Sequence, residues 1–168
     1  MTVATLVVSL LLVQDDVDVN WKDNNGCSPL LLATAKGHEA VVILLLKQND
    51  IEVNSKDGRN QSPLLLAVKK GHQVITSLQV LAHENVEVNS KATEGLSSLA
   101  FAAADGHEAI VRLLLTQDDM EVNLEDTSGW TPLIYAASNV QEEIVRLLLA
   151  QNGVKVNFKD ADDYCMLL

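Results

Sequence analysis

One phrase recurs four times along this chain: NNGCSPLLLATAKGHEAVVILLL from Asn24, GRNQSPLLLAVKKGHQVITSL from Gly58, EGLSSLAFAAADGHEAIVRLLL from Glu94 and SGWTPLIYAASNVQEEIVRLLL from Ser128. Its anchors Pro29, Pro63, Ser98 and Pro132 stand 34, 35 and 34 residues apart, and Asn20, Asn54, Asn89, Asn123 and Asn157 recur in the same phase. A unit this short cannot bury its apolar face alone, so successive units must stack and share a core. Function in such an array is sought on the surface, at positions that packing leaves open.

Each phrase reads as a helix, a turn and a second helix. Ser28, Ser62, Ser97 and Thr131 stand where a hydroxyl can accept from the first free amides of a helix. Pro29, Pro63 and Pro132 follow at the first helical position, where no N–H is missed. Ala33, Ala67, Ala102 and Ala136 keep one helix face small enough for a neighbour to approach. Gly37, Gly71 and Gly106 end the helix with a residue that takes positive φ cheaply. The stretches VVILLL from Val41 and IVRLLL from Ile110 and Ile144 are hydrophobic almost all round, which places the second helix in the middle of the stack, covered on both sides. Between units, Asp23 to Gly26, Asp57 to Asn60, Ala92 to Gly95 and Asp126 to Gly129 have the Asp, Asn and Gly of a tight hairpin loop and read as projecting fingers.

The phrase resembles the ankyrin repeat, with its period of about 33 residues, its turn and two helices and its T-P-L-H-x-A run. Four successive matches in phase extend the resemblance over nearly the whole chain. It implies an all-α ankyrin repeat solenoid of stacked helix-turn-helix units with projecting β-hairpin fingers. The expected layout is a single repeat domain over 1–168: a partial repeat with the second helix only at 1–20, repeats at 21–54, 55–89, 90–123 and 124–157, and a stub at 158–168. The acidic DVDVNxKD and EVNSKD phrases with GHEAVV also look like the long ankyrin arrays of fungal receptor-like proteins.

Several positions depart from the phrase. Ala92 replaces the turn Asp and Ser98 the Pro, which loosens one finger-to-helix junction. Val140 and Gln141 replace Gly-His, and Asn139 is expected to take over the left-handed turn. The third unit carries an extra residue near Leu81 to His83, so the helix should end irregularly there. The family's His two residues after Pro is absent, with Leu31, Leu65, Ala100 and Ile134 in its place.

The first thirteen residues are apolar, but no Lys or Arg precedes Lys22 and no small-residue cleavage site follows. In register with Asn20 and Asn54, Val7 to Leu12 fall on Val41 to Leu46, which makes them a second helix without its first. At the other end Cys165, Met166 and Leu167 fall on the first step of a further helix. The array thus reads as a slice of a longer one with uncapped ends, and end-to-end self-association is expected of it. Cys27 and Cys165 are several layers of about 8–10 Å apart, beyond disulfide reach, which fits an intracellular compartment (cytoplasm or nucleus).

Candidate chemistry is sparse. His38, His72 and His107 recur in register, but layers of about 8–10 Å keep them from sharing a metal ion. An imidazole bonded to backbone at the helix-turn junction is the plainer reading. Cys27 has no His or Asp in a fixed relation, and no phosphate loop or paired carboxylate is present. Neither an enzyme nor a cofactor is expected. The acidic clusters Asp15, Asp16 and Asp18, Asp50 and Glu52, Glu84 and Glu87, and Asp118, Asp119 and Glu121 read as a solvated edge without calcium-loop spacing. The asparagines, each eight residues after a Leu, resemble those hydroxylated in some ankyrin arrays; equally, Asn at such a bend can bond its own backbone.

In the ankyrin family, partners dock on the finger tips and the adjoining first-helix face. Carried onto this chain, those positions hold the basic residues Lys22, Lys36, Lys56, Arg59, Lys69, Lys70 and Lys91 against the acids Glu94, Asp105 and Glu125, a balance of 7 − 3 = +4 within a net charge of −11. The sequence pI near 4.6 disfavours bulk nucleic-acid binding, whereas an acidic protein partner fits a basic groove on an acidic body. Trp130, at a finger tip, is the aromatic candidate for an anchor. The expected function is therefore a protein-interaction scaffold with no membrane span. Its alternative is a structural spacer, or a self-associating segment of a larger receptor-like protein.

Overall fold

A computed structural model gives the structure of the protein and describes residues 3–14, 16–82, 85–159 and 165–167. Its helices are α1 (Val3–Leu11), α2 (Pro29–Ala35), α3 (Glu39–Leu46), α4 (Pro63–Lys69), α5 (Gln73–Ala82), α6 (Ser98–Ala104), α7 (Glu108–Leu114), α8 (Pro132–Ser138) and α9 (Glu142–Leu149). Two short strands, β1 (Asn157–Lys159) and β2 (Cys165–Leu167), pair antiparallel with Phe158 opposite Met166. A strand therefore stands at Cys165–Leu167, where the repeat register had placed the first step of a helix. The chain divides into two compact units, Met1–Val86 and Glu87–Leu168. The acidic residues Asp15 and Glu84, the loop residue His83 and the side chain of Cys165 lie outside what is described.

The first helix of each repeat begins as its residues require. Ser28, Ser62, Ser97 and Thr131 adopt extended backbone, and their hydroxyls accept from the amides of Leu31, Leu65, Ala100 and Ile134. Each such cap is worth about 1 kcal/mol. Within the first unit α2 packs on α3 and α4, and α4 on α5; within the second α6 packs on α7 and α8, and α8 on α9. Ala33, Ala67, Ala102 and Ala136 are buried, so backbones can close on one another where first helices meet.

This packing reverses the expected roles of the two helices. In α4 every residue from Pro63 to Val68 is buried, as is every residue from Ser98 to Ala103 in α6. The second helices keep an open side, with Ile43 at 37% and Leu149 at 48% exposed. The physical reason is packing from more than one side: α4 lies against both α2 and α5, and α6 against both α7 and α8, whereas α2 keeps Leu32 42% exposed. In the first unit Leu30, Ala33, Val42, Leu45, Leu46, Ala67 and Ile75 form one continuous cluster, with Leu12, Val41 and Leu78 packed on it. Helix α1 lies against α3.

The turn between helices keeps its left-handed residue. Gly37 has φ 71°, and His72 of the following repeat lays its ring on it, with Cε1 at 3.0 Å from where a Cβ would stand. In the last repeat Val140 takes this conformation at φ 57°, and Asn139 stays at φ −96°. Register along the solenoid therefore outweighs residue preference: the position that must turn is 140, and Asn139 caps α8 by donating its side-chain amide to Tyr135 O at 3.0 Å. Helix α5 runs to Ala82, so the irregularity expected at Leu81 to His83 falls partly outside the described residues.

Candidate functional site

Three of the fingers are each built by a single carboxylate. Asp23 accepts from the amides of Asn25 and Cys27 at 2.8 and 2.9 Å through one oxygen. Asp57 holds Arg59 and Gln61, both at 2.9 Å, and Asp126 holds Ser128 and Trp130, both at 2.8 Å. The hairpins in these three fingers are thus closed by a side chain and by backbone bonds such as Asp23 N to Cys27 O, with no strand ladder. Where Ala92 removes the carboxylate, the backbone closes the loop through Ala92 N to Leu96 O, and Lys91 bridges to Ser97. The ladder of β1 and β2 stands at the last finger position.

These backbone bonds hold the Asp23 carboxyl below the usual carboxylate range, the Cys27 amide first and the Asn25 amide second. Burial, and then the charges of Asp23 and Asp57, push the Cys27 thiol up. Cys27 is therefore less reactive near neutral pH than an ordinary exposed thiol.

Asparagines join each finger base to the loop of the next repeat. Asn20 donates to Asp50 O at 2.7 Å and accepts from Glu52 N at 2.8 Å. Asn89 does the same with Asp119 O and Glu121 N at 2.7 and 3.0 Å, and Asn123 with Gly153 O and Lys155 N at 2.8 and 3.0 Å. Bonding to the residue's own backbone was expected at this bend. The amide instead spans to the neighbouring repeat, because stacking brings a free carbonyl and amide opposite it.

The predicted surface residues have distinct settings. Lys22 is exposed and pairs with Glu52 at 3.3 Å. Lys36 caps α2 and Lys70 caps α4, both exposed, and Lys69 lies half-buried in the last turn of α4. These three cations sit at the C-terminal ends of two helices that pack together, where the helix dipole favours them. Lys56 and Arg59 are exposed and flank a cleft of about 760 Å³ between the first two fingers, also lined by Cys27 and Gln61. Lys91 donates to Glu125 O at 2.8 Å, so its ammonium is partly spent within the protein. Trp130 is half-buried, its ring centroid 5.2 Å from that of Tyr135, so a good part of the indole already serves packing.

Sequence reasoning missed Trp21, which is 66% exposed beside Lys22. Its signal was available, since the corresponding positions hold Ser55, Ser90 and Leu124. The three in-register histidines also differ from expectation. His38 and His107 make no side-chain cap bond, and Nε2 of His72 is buried without a partner, its ring spent on Gly37. Among the described residues no group of three or more His, Cys, Asp or Glu could hold a metal ion, and no helix is long and apolar enough to cross a membrane.

A family model described as ankyrin repeats, in three copies, matches residues 4–92 and 64–160. A comparison with curated proteins found no match.

Proposed function

Since the chain belongs to the ankyrin repeat family, whose members serve generally as protein-interaction modules and are typically non-enzymatic, we propose that it is a scaffold binding an acidic protein partner through finger tips and first-helix ends. The observation that carries this reading is a clustering of cations on one surface of the first unit. Six of them, Lys22, Lys36, Lys56, Arg59, Lys69 and Lys70, occupy its finger and first-helix positions, all but Lys69 exposed, on a chain of net charge −11. A local field of opposite sign steers an acidic surface and selects against a basic one. In the second unit Lys91, bound to Glu125 O, and Trp130, packed on Tyr135, extend the same surface. The overall acidity disfavours nucleic acid as the target. No membrane association is assigned to the chain, and an intracellular setting, in cytoplasm or nucleus, belongs to the same reading.

Affinity purification from a cell extract with the intact chain and with a Lys69→Glu, Lys70→Glu, Trp130→Ala variant tests the proposal. Partners captured by the first and lost by the second, with salt-sensitive binding, are the expected result. Identical capture by both would sink it.

A second reading, self-association as a spacer segment, draws on α1, where Leu6 and Val7 are 49%, Leu10 58% and Leu11 53% exposed. Light scattering across a wide concentration range separates the two. A mass that grows with concentration in the absence of other proteins supports self-association, and a constant monomer mass counts against it.

A further inference from the structure

The cleft between the first two fingers differs in several lining residues from the corresponding positions of the second unit. In the second unit Thr127 ties the fingers twice, its amide donating to Glu94 O at 3.4 Å and its hydroxyl to the same oxygen at 3.1 Å. In the first, Gly58 stands at that position and only its amide spans, to Asn25 O at 2.9 Å. A Cβ on Gly58 would meet Asn25 O at 3.3 Å, so the missing side chain leaves the gap open. The flanking charge changes as well: Lys56 stands for the acidic Glu125 and Arg59 for the neutral Ser128. Polar Cys27 and Gln61 replace Leu96 and Trp130.

We propose that this cleft, lined by Gln61 and flanked by Lys56 and Arg59, accepts the carboxylate of a glutamate or aspartate side chain on an extended acidic segment of a partner. It rests on the reading of this surface as partner-binding and gives it a specific point of entry. Gln61 is 6% exposed and borders the cleft, so that part of the wall is held in place by packing. Lys56 and Arg59 supply two positive charges. Asp57, the carboxylate among the lining residues, accepts from the amides of Arg59 and Gln61 but keeps its charge, so the lining carries 2 − 1 = +1 and still favours an anion. An ionised ligand in a concave, partly desolvated site gains charge-assisted hydrogen bonds that an exposed lysine alone does not give.

The test uses the full chain, ¹⁵N-labelled, titrated with a synthetic alternating Glu-Gly peptide whose ends are blocked, and with a Gln-Gly peptide as control. The Glu-Gly peptide should shift the Gly58 backbone amide and the Gln61 side-chain amide, and the control should shift neither. Gly58→Thr, which fills the cleft without changing charge, should weaken binding about tenfold or more. Threonine already occupies the matching position 127, so this variant is expected to fold. If it does not, Gln61→Leu replaces it under the same criteria. Unchanged affinity in the filled cleft, or an unmoved Gln61 amide, overturns the proposal. If Lys69→Glu with Lys70→Glu still abolishes binding in that case, the broader acidic-partner reading survives. If those charge reversals also change nothing, both readings fail.

Discussion

The phenol of Tyr135 donates to Oδ2 of Asp126 at 2.5 Å, and Oδ1 of the same carboxylate holds the finger amides of Ser128 and Trp130. One acid thus joins a finger to the first helix of its own repeat. Burial, with the Asp126 bond second, pushes the Tyr135 hydroxyl above its ordinary value. For a group whose folded pKa is raised, the stabilisation is complete below the unfolded value, about 10 for tyrosine, and is lost as pH rises through the folded one. Tyr135→Phe should therefore cost about 1 kcal/mol at neutral pH, a charge-assisted bond discounted for partial exposure. The gap between variant and parent should shrink when urea melts are repeated above about pH 10. A constant gap across that range would show that the bond does not carry the difference.

Val140 stands at φ 57° with 77% of its surface exposed, so it bears the strain of a β-branched residue in the left-handed region without packing in return. Val140→Gly removes a strain of about 1–2 kcal/mol. Against this stands the extra chain entropy of glycine in the unfolded state, about 0.5–1 kcal/mol. A net gain of about 0.5 kcal/mol is expected, read as a higher melting temperature and slower amide exchange around Gln141. A loss of stability would mean that Val140 makes contacts beyond those seen.

The caps, the buried alanines and the turn glycines were legible because each answers a requirement of its own backbone, local in the chain. What was not legible depends on stacking. Asn89 meets Asp119, 30 residues on, only after two repeats have packed, and no local pattern announces that contact. The enclosure of α4 and α6 likewise follows from neighbours packing on the fully buried Ala67 and Ala102, and composition does not announce it, since α4 carries as many leucines as α3. In the surface charges the sequence located the cations of the first unit but could not tell Lys22, paired with Glu52, from Lys36. Trp21 was overlooked because attention rested on finger tips, and its exposure lies one step before the finger.

If the asparagine amides clamp repeat to repeat, Asn89→Ala should destabilise the second unit by about 1–2 kcal/mol, the value of two partly exposed hydrogen bonds. The amide of Glu121, which donates to Asn89 at 3.0 Å, should lose protection in hydrogen exchange well before the helix amides do. Asn89→Asp keeps the acceptor and removes the donor, so it should protect Glu121 while freeing the carbonyl of Asp119. Equal exchange at Glu121 in the alanine variant and the parent would contradict the clamp.

Asp23 and Cys27 make the last case, because one carboxylate sets both the shape and the chemistry of the first finger. Its pKa is lowered by the Cys27 and Asn25 amides, so its contribution to the finger is present above the unfolded value, about 3.9, and is lost as pH falls through the folded one. The amides of Asn25 and Cys27 should therefore keep their shifts down to about pH 4 and lose them below it. The neighbouring thiol is raised by burial first and by Asp23 second, so alkylation of Cys27 near pH 8 should run slower than for an unhindered thiol. Asp23→Asn keeps an oxygen for the two amides but removes the charge, and it should quicken that alkylation while leaving the fold in place. Fluorescent maleimide labelling of the two proteins side by side, both carrying Cys165→Ser so that only Cys27 reacts, gives the comparison. Equal rates would show that the Asp23 charge does not slow the reaction, leaving burial and Asp57 as its causes.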